Sequence, residues 1–382
     1  MTILWLVSWY PNRLSPFDGD FIRRQAEAAA LYADIHVIFV VKDEEGKVTK
    51  TVAVEECSQG RLRETIIYYH VAPRHIFSSL VSAMRYRKLY LQAVTKHIEA
   101  FGKPVLLHAH VAMKAGWIAA LASKKWKIPF ILTEHWTGYL KEADDRLDNR
   151  PALFRRLTAK VLAQAEEILV VSDYLGKAMQ AHFPRLEYSV VPNVVNTAIF
   201  FPGKQLPQHP HRFIHISNMN YQKNADNMLK AFASLAGKGY DFRLELYGTA
   251  GPGLQALAKS LALENRVFFR GEVSQPELAD AIRASHALIL YSRYETFGCV
   301  LIEANACAVP VIVSDIPVFH ERVREGENGL FALPNSVDDI AGKIAAFMDG
   351  QYRFDPLTIA ATAEKYSYEA VGRMLADCYA LY

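Results

Sequence analysis

Two glutamates, Glu295 and Glu303, lie in the segment YSRYETFGCVLIEANACAVPVIVSD at 291–315. A carboxylate accepts hydrogen bonds from pairs of hydroxyl groups, and a sugar nucleotide offers one such pair on its sugar and another on its ribose. Glu295 precedes a predicted helix and Glu303 lies about two turns into it, so the two carboxylates should have separate partners rather than form an acid–base dyad. The alternative is two ordinary solvated glutamates, or one that caps the helix.

A strand, a helix and a second strand position these carboxylates. Apolar runs at 287–292 and 311–314 predict buried strands. The helix between them begins near 296–298 and ends before Pro310, because proline cannot continue a helix. The free N–H groups of a helix N-terminus favour an anion, and a diphosphate fits there. We therefore predict contacts with a donor diphosphate for Thr296, Phe297 and Gly298.

The same alternation of apolar runs and helical patterns extends along the chain, which predicts an α/β fold with two doubly wound Rossmann-like domains. Pro, Gly, Gln and His cluster at 192–210, where periodicity disappears, so the domains should span 1–195 and 196–365. An amphipathic helix is expected at 366–382. The predicted strands are 3–9, 35–41, 65–71, 104–109, 129–133 and 168–172, then 212–217, 242–247, 266–270, 287–291, 311–314 and 329–332.

Further candidates stand near predicted strand ends, where open α/β sheets bind ligands. Gly19 could let the backbone approach a phosphate, or could be an ordinary turn residue. Lys223 could bind phosphate, or could be a solvated surface lysine. His108 and His110 point the same way along a strand, which suggests a metal site. A His-x-His pair without a clear third ligand is usually not one, although Glu134 or His135 could supply that ligand, so no metal is expected.

Five segments in sequence resemble the retaining family 4 glycosyltransferases of the GT-B fold, also called glycosyl transferases group 1. The signature is Glu295, seven residues and Glu303, with Phe-Gly after the first glutamate and Pro-Val-Ile after the second. The other segments are WYPNRLSPFDGDFIRRQAEAAA at 9–30, VPNVVNTAIFFP at 191–202, ISNMNYQKNAD at 216–226 and VFFRGEVSQPEL at 267–278.

This resemblance implies transfer of a sugar, of the hexosyltransferase type, from a nucleoside diphosphate sugar to an acceptor hydroxyl with retention of configuration. It implies that Glu295 and His110 orient the transferred sugar and that Glu303 binds the ribose. Lys223 would bind the phosphates, with no metal and no cofactor. It further implies donor contacts for Gly19, Asn218, Gly248 and Val273, and places Glu134 and His135 on the acceptor side. The site is expected in a cleft between the domains, and the C-terminal helix on the first domain.

Two positions depart from the family pattern. Asn218 stands where the family usually has an arginine, so half of the expected cationic phosphate clamp is missing, and Arg293 beside the signature could compensate. Val194 stands where the family prefers glycine. A hydrolase or epimerase on the same scaffold, or a non-catalytic nucleotide-sugar-binding protein, remains an alternative, and Asn218 favours the latter slightly.

Composition limits the compartment and the partners. Four scattered cysteines without a Cys-x-x-Cys pair indicate neither a disulfide framework nor a zinc site. The run at 3–9 lacks a basic flank and a cleavage site, and charges interrupt the apolar stretch at 105–123, so we expect a cytoplasmic protein. The net charge of +3 without a recognition motif disfavours nucleic acid.

The basic charge is concentrated in the first half of the chain. Residues 74–127 contain ten Lys and Arg and one acidic residue, Glu99. A predicted helix at 75–101 could rest on the anionic inner face of a membrane while the enzyme receives a lipid-linked or glycan acceptor for cell-envelope polysaccharide synthesis. The alternative is a helix packed on its own sheet with a solvated basic face. The apolar residues of the predicted helix are Ile76, Leu80, Met84, Leu91, Val94 and Ile98.

Overall fold

The computed structural model describes residues 1–48, 51–71, 78–203 and 209–382. Contacts divide them into two units. Unit 1 comprises Met1–Tyr139, Asp145–Val194 and Tyr368–Tyr382, and unit 2 comprises Leu140–Asp144 and Val195–Ser367. The short segment 140–144 was not expected to group with the second unit. The predicted linker at 192–210 lies partly outside the described residues.

Unit 1 is built on a mostly parallel sheet in the order β3-β4-β2-β1-β5-β6-β7-β8. Every neighbouring pair is parallel except β3 and β4. Its strands are β1 (Thr2–Val7), β2 (Asp34–Lys42), β3 (Val52–Gln59), β4 (Leu62–Tyr69), β5 (Leu106–His110), β6 (Phe130–Glu134), β7 (Ile168–Val170) and β8 (Ser189–Val190). Its first helices are α1 (Asp20–Ala29), α2 (Ser78–Phe101), α3 (Trp117–Trp126), α4 (Ala152–Leu162) and α5 (Asp173–His182).

The strand order of unit 1 reverses between β1 and β5. Both strands are buried along nearly their whole length, which explains their continuous apolar sequences. At such a reversal the connections after the two strands diverge to opposite faces of the sheet and leave a crevice at its carboxyl edge. The loop that ends at Gly19 follows β1, and His110 ends β5. The topology therefore brings these two candidates to the same edge.

Unit 2 has a wholly parallel sheet in the order β11-β10-β9-β12-β13-β14, which reverses between β9 and β12. Two doubly wound α/β sheets are thus confirmed. The strands are β9 (His211–Ile216), β10 (Phe242–Tyr247), β11 (Val267–Gly271), β12 (Ala287–Leu290), β13 (Val311–Ser314) and β14 (Gly329–Ala332). The helices are α6 (Ala225–Gly237), α7 (Pro252–Ser260), α8 (Gln275–Arg283), α9 (Cys299–Ala306), α10 (Val337–Met348) and α11 (Pro356–Ala361).

The last helix, α12 (Tyr368–Tyr379), packs against α1 within unit 1. The helices approach closely at Gly372, where an added Cβ would lie 2.3 Å from the Ala28 carbonyl oxygen. The Tyr368 hydroxyl donates a hydrogen bond of 2.8 Å to Glu27 of α1. Among the helices in the described part of the chain, none is sufficiently long and apolar to cross a membrane.

Candidate active site

Lys223 and Glu295 meet where the sheet of unit 2 reverses. Lys223 follows β9 and Glu295 follows β12, and the lysine ammonium donates a hydrogen bond to Glu295 Oε1. Ser292 Oγ donates to the same oxygen at 3.0 Å, and Gln222 Nε2 donates to Oε2 at 3.3 Å. The Glu295 side chain is 7% exposed and that of Lys223 18%. Two residues singled out separately by sequence therefore form one partly enclosed ion pair.

This arrangement suits a ligand that carries both hydroxyl groups and negative charge. In a site with little water, each charge of the pair interacts more strongly with a ligand than it would at a solvated surface. A phosphate can take the ammonium of Lys223, and a hydroxyl pair can donate to the carboxylate of Glu295. Lys223 and Glu295 neutralise each other's charge. Each can exchange this contact for a contact with a ligand, the ammonium for one with a phosphate and the carboxylate for one with hydroxyl groups.

The loop after β9 is held by a buried histidine that the sequence analysis did not select. His215 Nδ1 lies 2.8 Å from the Ile289 carbonyl oxygen, which can only accept, so Nδ1 carries the proton. Nε2 then accepts from Ser217 Oγ at 2.7 Å, and that oxygen accepts from the Met219 N–H at 2.9 Å. Burial lowers the pKa of His215 to about 4, so the ring is neutral at pH 7. The neutral ring fixes the path of the loop that presents Asn218, whose side chain is exposed.

Arg293, considered as a substitute for the family's missing arginine, contacts Tyr221 and Asp226 in this structure. Its guanidinium lies 4.1 Å from the centroid of the Tyr221 ring, donates to the Tyr221 carbonyl and contacts Asp226 Oδ1 at 3.3 Å. Its backbone N–H donates to the Gln222 carbonyl at 2.8 Å. Arg293 thus ties the two loops together with its charge balanced by Asp226.

Helix α9 begins immediately after Gly298, as the sequence predicted. Gly298 has φ of 86°, a left-handed conformation that favours glycine. Phe297 is 1% exposed, and Glu303 is 2% exposed in the second turn of the helix. Such burial excludes the alternative that Glu303 is an ordinary solvated surface glutamate. Thr296, Phe297 and Gly298 form the entry to this helix directly after Glu295.

Gly248 and Val273 extend the same sheet edge away from Lys223. An added Cβ at Gly248 would lie 2.0 Å from the Ser217 carbonyl oxygen, so the loops after β9 and β10 pack backbone against backbone. The Gly248 N–H also donates to the Gly271 carbonyl at 2.8 Å. Val273 follows β11, two strands away from β9, and is half-buried. The structure thus groups Gly248 with the Ser217 loop and places Val273 at the outer end of the edge.

His110 lies in a buried stack of rings in unit 1. Its Nδ1 lies 3.1 Å from His135 Nε2, and its ring centroid lies 4.2 Å from that of Trp5 and 4.4 Å from that of His108. Among the described residues, His110 Nε2 has no hydrogen-bond partner. His108, in contrast, is bonded on both nitrogens, to Tyr379 at 2.8 Å and Thr133 at 2.7 Å. His108 is therefore a positioning residue in the core, whereas His110 retains a nitrogen that can bind a ligand.

The predicted acceptor-side residues have internal roles. Glu134 is completely buried, and its carboxylate accepts from the N–H groups of Ala112, His135 and Trp136 and from the Tyr139 hydroxyl, at 2.9 to 3.1 Å. Burial raises the pKa of Glu134, and these hydrogen bonds oppose that rise. The carboxylate organises the segments after β5 and β6. His135 contacts His110 directly, so an acceptor contact for either residue stays a prediction.

Gly19 is required by the close packing of its own loop. It has φ of 64°, and an added Cβ would lie 2.5 Å from the Trp9 carbonyl carbon and 2.6 Å from the Tyr10 nitrogen. The space that a Cβ of residue 19 would occupy is thus filled by the backbone of the chain itself. A ligand contact of Gly19 would have to be made through its backbone.

The sequence predicts no metal site. The described residues contain no group of three or more His, Cys, Asp and Glu side chains arranged to hold a metal ion. The two nitrogens of His108 are bonded to hydroxyl groups, which leaves neither for coordination.

Stability should fall as the pH is lowered below about 6.5. Burial lowers the pKa of the six histidines that are buried in the described part of the chain. They stay neutral in the native state but bind protons when unfolded, where their pKa is about 6.5. Each contributes stability that is present above pH 6.5 and lost as the pH falls towards its native pKa, at most about 1.4 kcal/mol per pH unit. The six are His36, His97, His108, His110, His135 and His215.

Thermal unfolding midpoints between pH 7.5 and 5.5 check this prediction. Burial raises the pKa of Asp18 and Glu134, which acts in the opposite direction, but two carboxyl groups are outnumbered by six imidazoles. Replacement of the exposed His209 by glutamine is the control and should keep the wild-type slope. A midpoint that is constant or rises as the pH falls to 5.5 would contradict it.

Comparison with family models identifies the chain. The model described as "Glycosyltransferase Family 4" matches residues 27–199, and the model described as "Glycosyl transferases group 1" matches residues 197–369. The chain belongs to this family of glycosyltransferases. The two models meet near the boundary of the two units, and together they cover all but the ends of this glycosyltransferase chain.

Relatives and solved structures agree with this assignment. D-inositol 3-phosphate glycosyltransferase of Streptosporangium roseum is 26% identical over 309 residues, which cover 73% of this chain and 70% of the relative. Sucrose-phosphate synthase of Thermosynechococcus elongatus superimposes with a TM-score of 0.78 at 19% identity, over 100% of this chain and 99% of the other. Anabaena HepE in complex with UDP superimposes with a TM-score of 0.73 at 20% identity, over 100% of both chains. The fold is GT-B.

Proposed function

We propose that this glycosyltransferase moves a sugar from a nucleoside diphosphate sugar to an acceptor hydroxyl with retention of anomeric configuration. The observation that carries the proposal is the contact of Lys223 with Glu295 at the strand-order reversal of unit 2, beside the start of α9. Ligands of doubly wound sheets bind at such reversals. The solved complexes of HepE with UDP and with UDP-glucose support a nucleotide-sugar donor.

Each part of the donor has a proposed partner. Lys223 and the N–H groups at the start of α9 bind the diphosphate, because both carry positive charge. Glu295 accepts hydrogen bonds from the transferred sugar, and Glu303 binds the ribose. His110 contributes its open nitrogen to the sugar. The backbone near Gly248 and Val273 lies towards the base, and Asn218 and Gly19 contribute polar backbone or amide contacts.

The reaction proposed needs no metal and no other cofactor. As the bond from the anomeric carbon to the diphosphate oxygen breaks, the leaving phosphate takes the proton of the acceptor hydroxyl, which forms the new bond on the same face. Lys223 and the amides of α9 stabilise the charge that develops on the diphosphate, and Glu295 fixes the position of the sugar. The protein thus supplies position and charge rather than a covalent nucleophile.

A thermal-shift panel of UDP, GDP, ADP and their sugars tests donor binding. The fitting nucleotide should raise the melting temperature, since a ligand at 100 times its Kd stabilises the native state by about 2.7 kcal/mol. If none of the nucleotides shifts the transition at millimolar concentration, the proposed donor class is wrong.

Dependence of donor turnover on the acceptor tests the reaction type. The name of the relatives suggests an inositol phosphate as one acceptor to try, and a lipid-linked or polysaccharide intermediate of cell-envelope synthesis in the cytoplasm is the other. A transferase consumes the donor only when an acceptor is present. Equal consumption without acceptor would indicate a hydrolase or epimerase, and binding without turnover under every acceptor would indicate a binding protein.

Peripheral contact with an anionic membrane is a second proposal, carried by the start of α2. Leu80 and Met84 are 58% and 64% exposed there, next to the exposed Arg87 and Lys88. A groove of about 610 Å³ borders this face. The predicted apolar face of α2 does not face solvent along its whole length, because Val94 is fully buried on the sheet. Ile76, also predicted for this face, lies outside the described residues. Only the exposed start of the helix can meet lipid.

Co-sedimentation with vesicles tests this membrane contact. Binding should increase with the content of phosphatidylglycerol, and Lys88→Glu should weaken it at least about fivefold, because one basic side chain near an anionic surface contributes about 1 kcal/mol. Lys238→Glu, on an exposed residue of unit 2, is the control. Equal binding to neutral and anionic vesicles, or none, would refute the contact.

A further inference from the structure

Unit 2 buries an arginine directly behind the start of α9. The side chain of Arg322 is 3% exposed, and its Cζ lies 3.7 Å from the centroid of the Phe297 ring. Nη1 donates to the Val318 carbonyl at 2.8 Å. The Phe297 ring is held from a second direction by Tyr366, at 5.8 Å and an interplanar angle of 88°. Phe297 is therefore fixed between a cation and a second aromatic ring.

Burial of a guanidinium destabilises the native state unless negative charge or π-electron density offsets the lost hydration free energy. The carboxylate of Glu321 lies 3.6 Å from this guanidinium. Burial lowers the pKa of Arg322, and favourable electrostatic interactions with Tyr366, Glu321, Cys299 and Glu295 oppose that change. Arginine remains charged even so. The positive charge is thus retained close to both ends of the segment 295–299.

The turn that carries Arg322 is also held by hydrogen bonds that do not involve its side chain. Asn328 Nδ2 donates to the Arg322 carbonyl at 2.9 Å and to Asn305 Oδ1 of α9 at 2.9 Å. The Arg322 N–H donates to the Phe319 carbonyl at 3.0 Å. These bonds act on the backbone in addition to the bond from Nη1 to the Val318 carbonyl. The turn thus has several supports besides the buried guanidinium.

We propose that Arg322 is a positioning residue for the donor diphosphate, and that it supplies from behind the positive charge that Asn218 does not supply from the front. The stack on Phe297 orients the peptide N–H groups at 297–299 towards the phosphates. The guanidinium adds its field to that of the α9 N-terminus, in a region shielded from water. The inference rests on the proposed function, since it concerns the same donor.

Calorimetry with Arg322→Gln tests this role, using UDP, GDP and ADP and the matching nucleosides as probes. For the diphosphate that the wild type binds, the variant should lose about tenfold in affinity, while the affinity for its nucleoside stays within about twofold. Arg322→Lys keeps the charge and should restore part of the loss. Arg283→Gln is the matched control, because Arg283 stacks on Phe201 at 4.3 Å elsewhere in unit 2; it should bind both probes as the wild type does.

The outcomes separate this inference from the proposed function. Equal losses for diphosphate and nucleoside would show a purely structural role of Arg322, and no loss would show no role; either result overturns the inference while the donor class stands. If the wild type binds none of the three diphosphates, the proposed function fails and the inference fails with it. If Arg322→Gln does not fold, the same comparison is made with Arg322→Met, which also removes the charge, and an unchanged diphosphate-to-nucleoside affinity ratio would overturn the inference.

Discussion

Glu295→Gln should lower the rate of sugar transfer by a factor of about 10² to 10³ while the nucleoside diphosphate continues to bind. The carboxylate is held by Lys223, Ser292 and Gln222, so its position is set before the donor arrives. Glutamine keeps the shape but replaces one acceptor oxygen by a donor, and it removes the charge that aligns the sugar hydroxyls. The loss should therefore appear in kcat rather than in nucleotide affinity.

Single-turnover transfer and nucleotide titration, both made on Glu295→Gln and on Glu295→Ala, separate the two effects. Alanine should abolish transfer, because it also leaves the Lys223 ammonium without its carboxylate partner. The exposed Glu264→Gln is the control and should transfer at the wild-type rate. If Glu295→Ala retains transfer, the role assigned to this carboxylate is wrong.

Lys223→Met should weaken diphosphate binding and lower kcat/KM, together by about 10² to 10³. With Asn218 uncharged and Arg293 paired with Asp226, Lys223 is the cationic side chain of this loop that we propose for the phosphates, and its ammonium contacts Glu295. Its removal has a second cost, because the buried carboxylate of Glu295 then faces the anionic donor without a counter-ion. The loss of the ammonium and the uncompensated charge of Glu295 both weaken diphosphate binding.

Titration with the nucleoside diphosphate and with its nucleoside locates this loss. Only the diphosphate affinity should fall, and Lys238→Met, which changes an exposed lysine after α6, should behave as the wild type. An unchanged diphosphate affinity in Lys223→Met would show that the phosphates lie elsewhere.

The parts of the fold that could be predicted are those with a strong local pattern. The continuous apolar runs of strands such as β1 and β12 indicated burial on both faces, and Pro310 marked the end of the signature helix. β3 was missed because most of its residues are exposed, which leaves little hydrophobic alternation. β8 was missed because it has only two residues.

The site shows the same division between local and long-range information. Lys223 and Glu295 could be selected by type and position, but their contact depends on the order of strands in the sheet. Glu134 was selected as an acceptor-side candidate, which stays a prediction. Its four hydrogen-bond donors could not be predicted, because they come from loops that only the fold assembles. One sequence feature could have indicated His215, namely a histidine inside an apolar strand. No sequence feature indicated Arg322, since a charged residue in a turn is usually solvated.

Hydrogen–deuterium exchange, with and without the nucleoside diphosphate that stabilises the protein most, tests the central claim most directly. Exchange should slow at the amides of 217–223 and 295–303, which flank the Lys223–Glu295 pair, and should stay unchanged in the groove of unit 1 bordered by 182–189. Protection confined to that groove, with none at 217–223 and 295–303, would contradict a donor site at the strand-order reversal of unit 2.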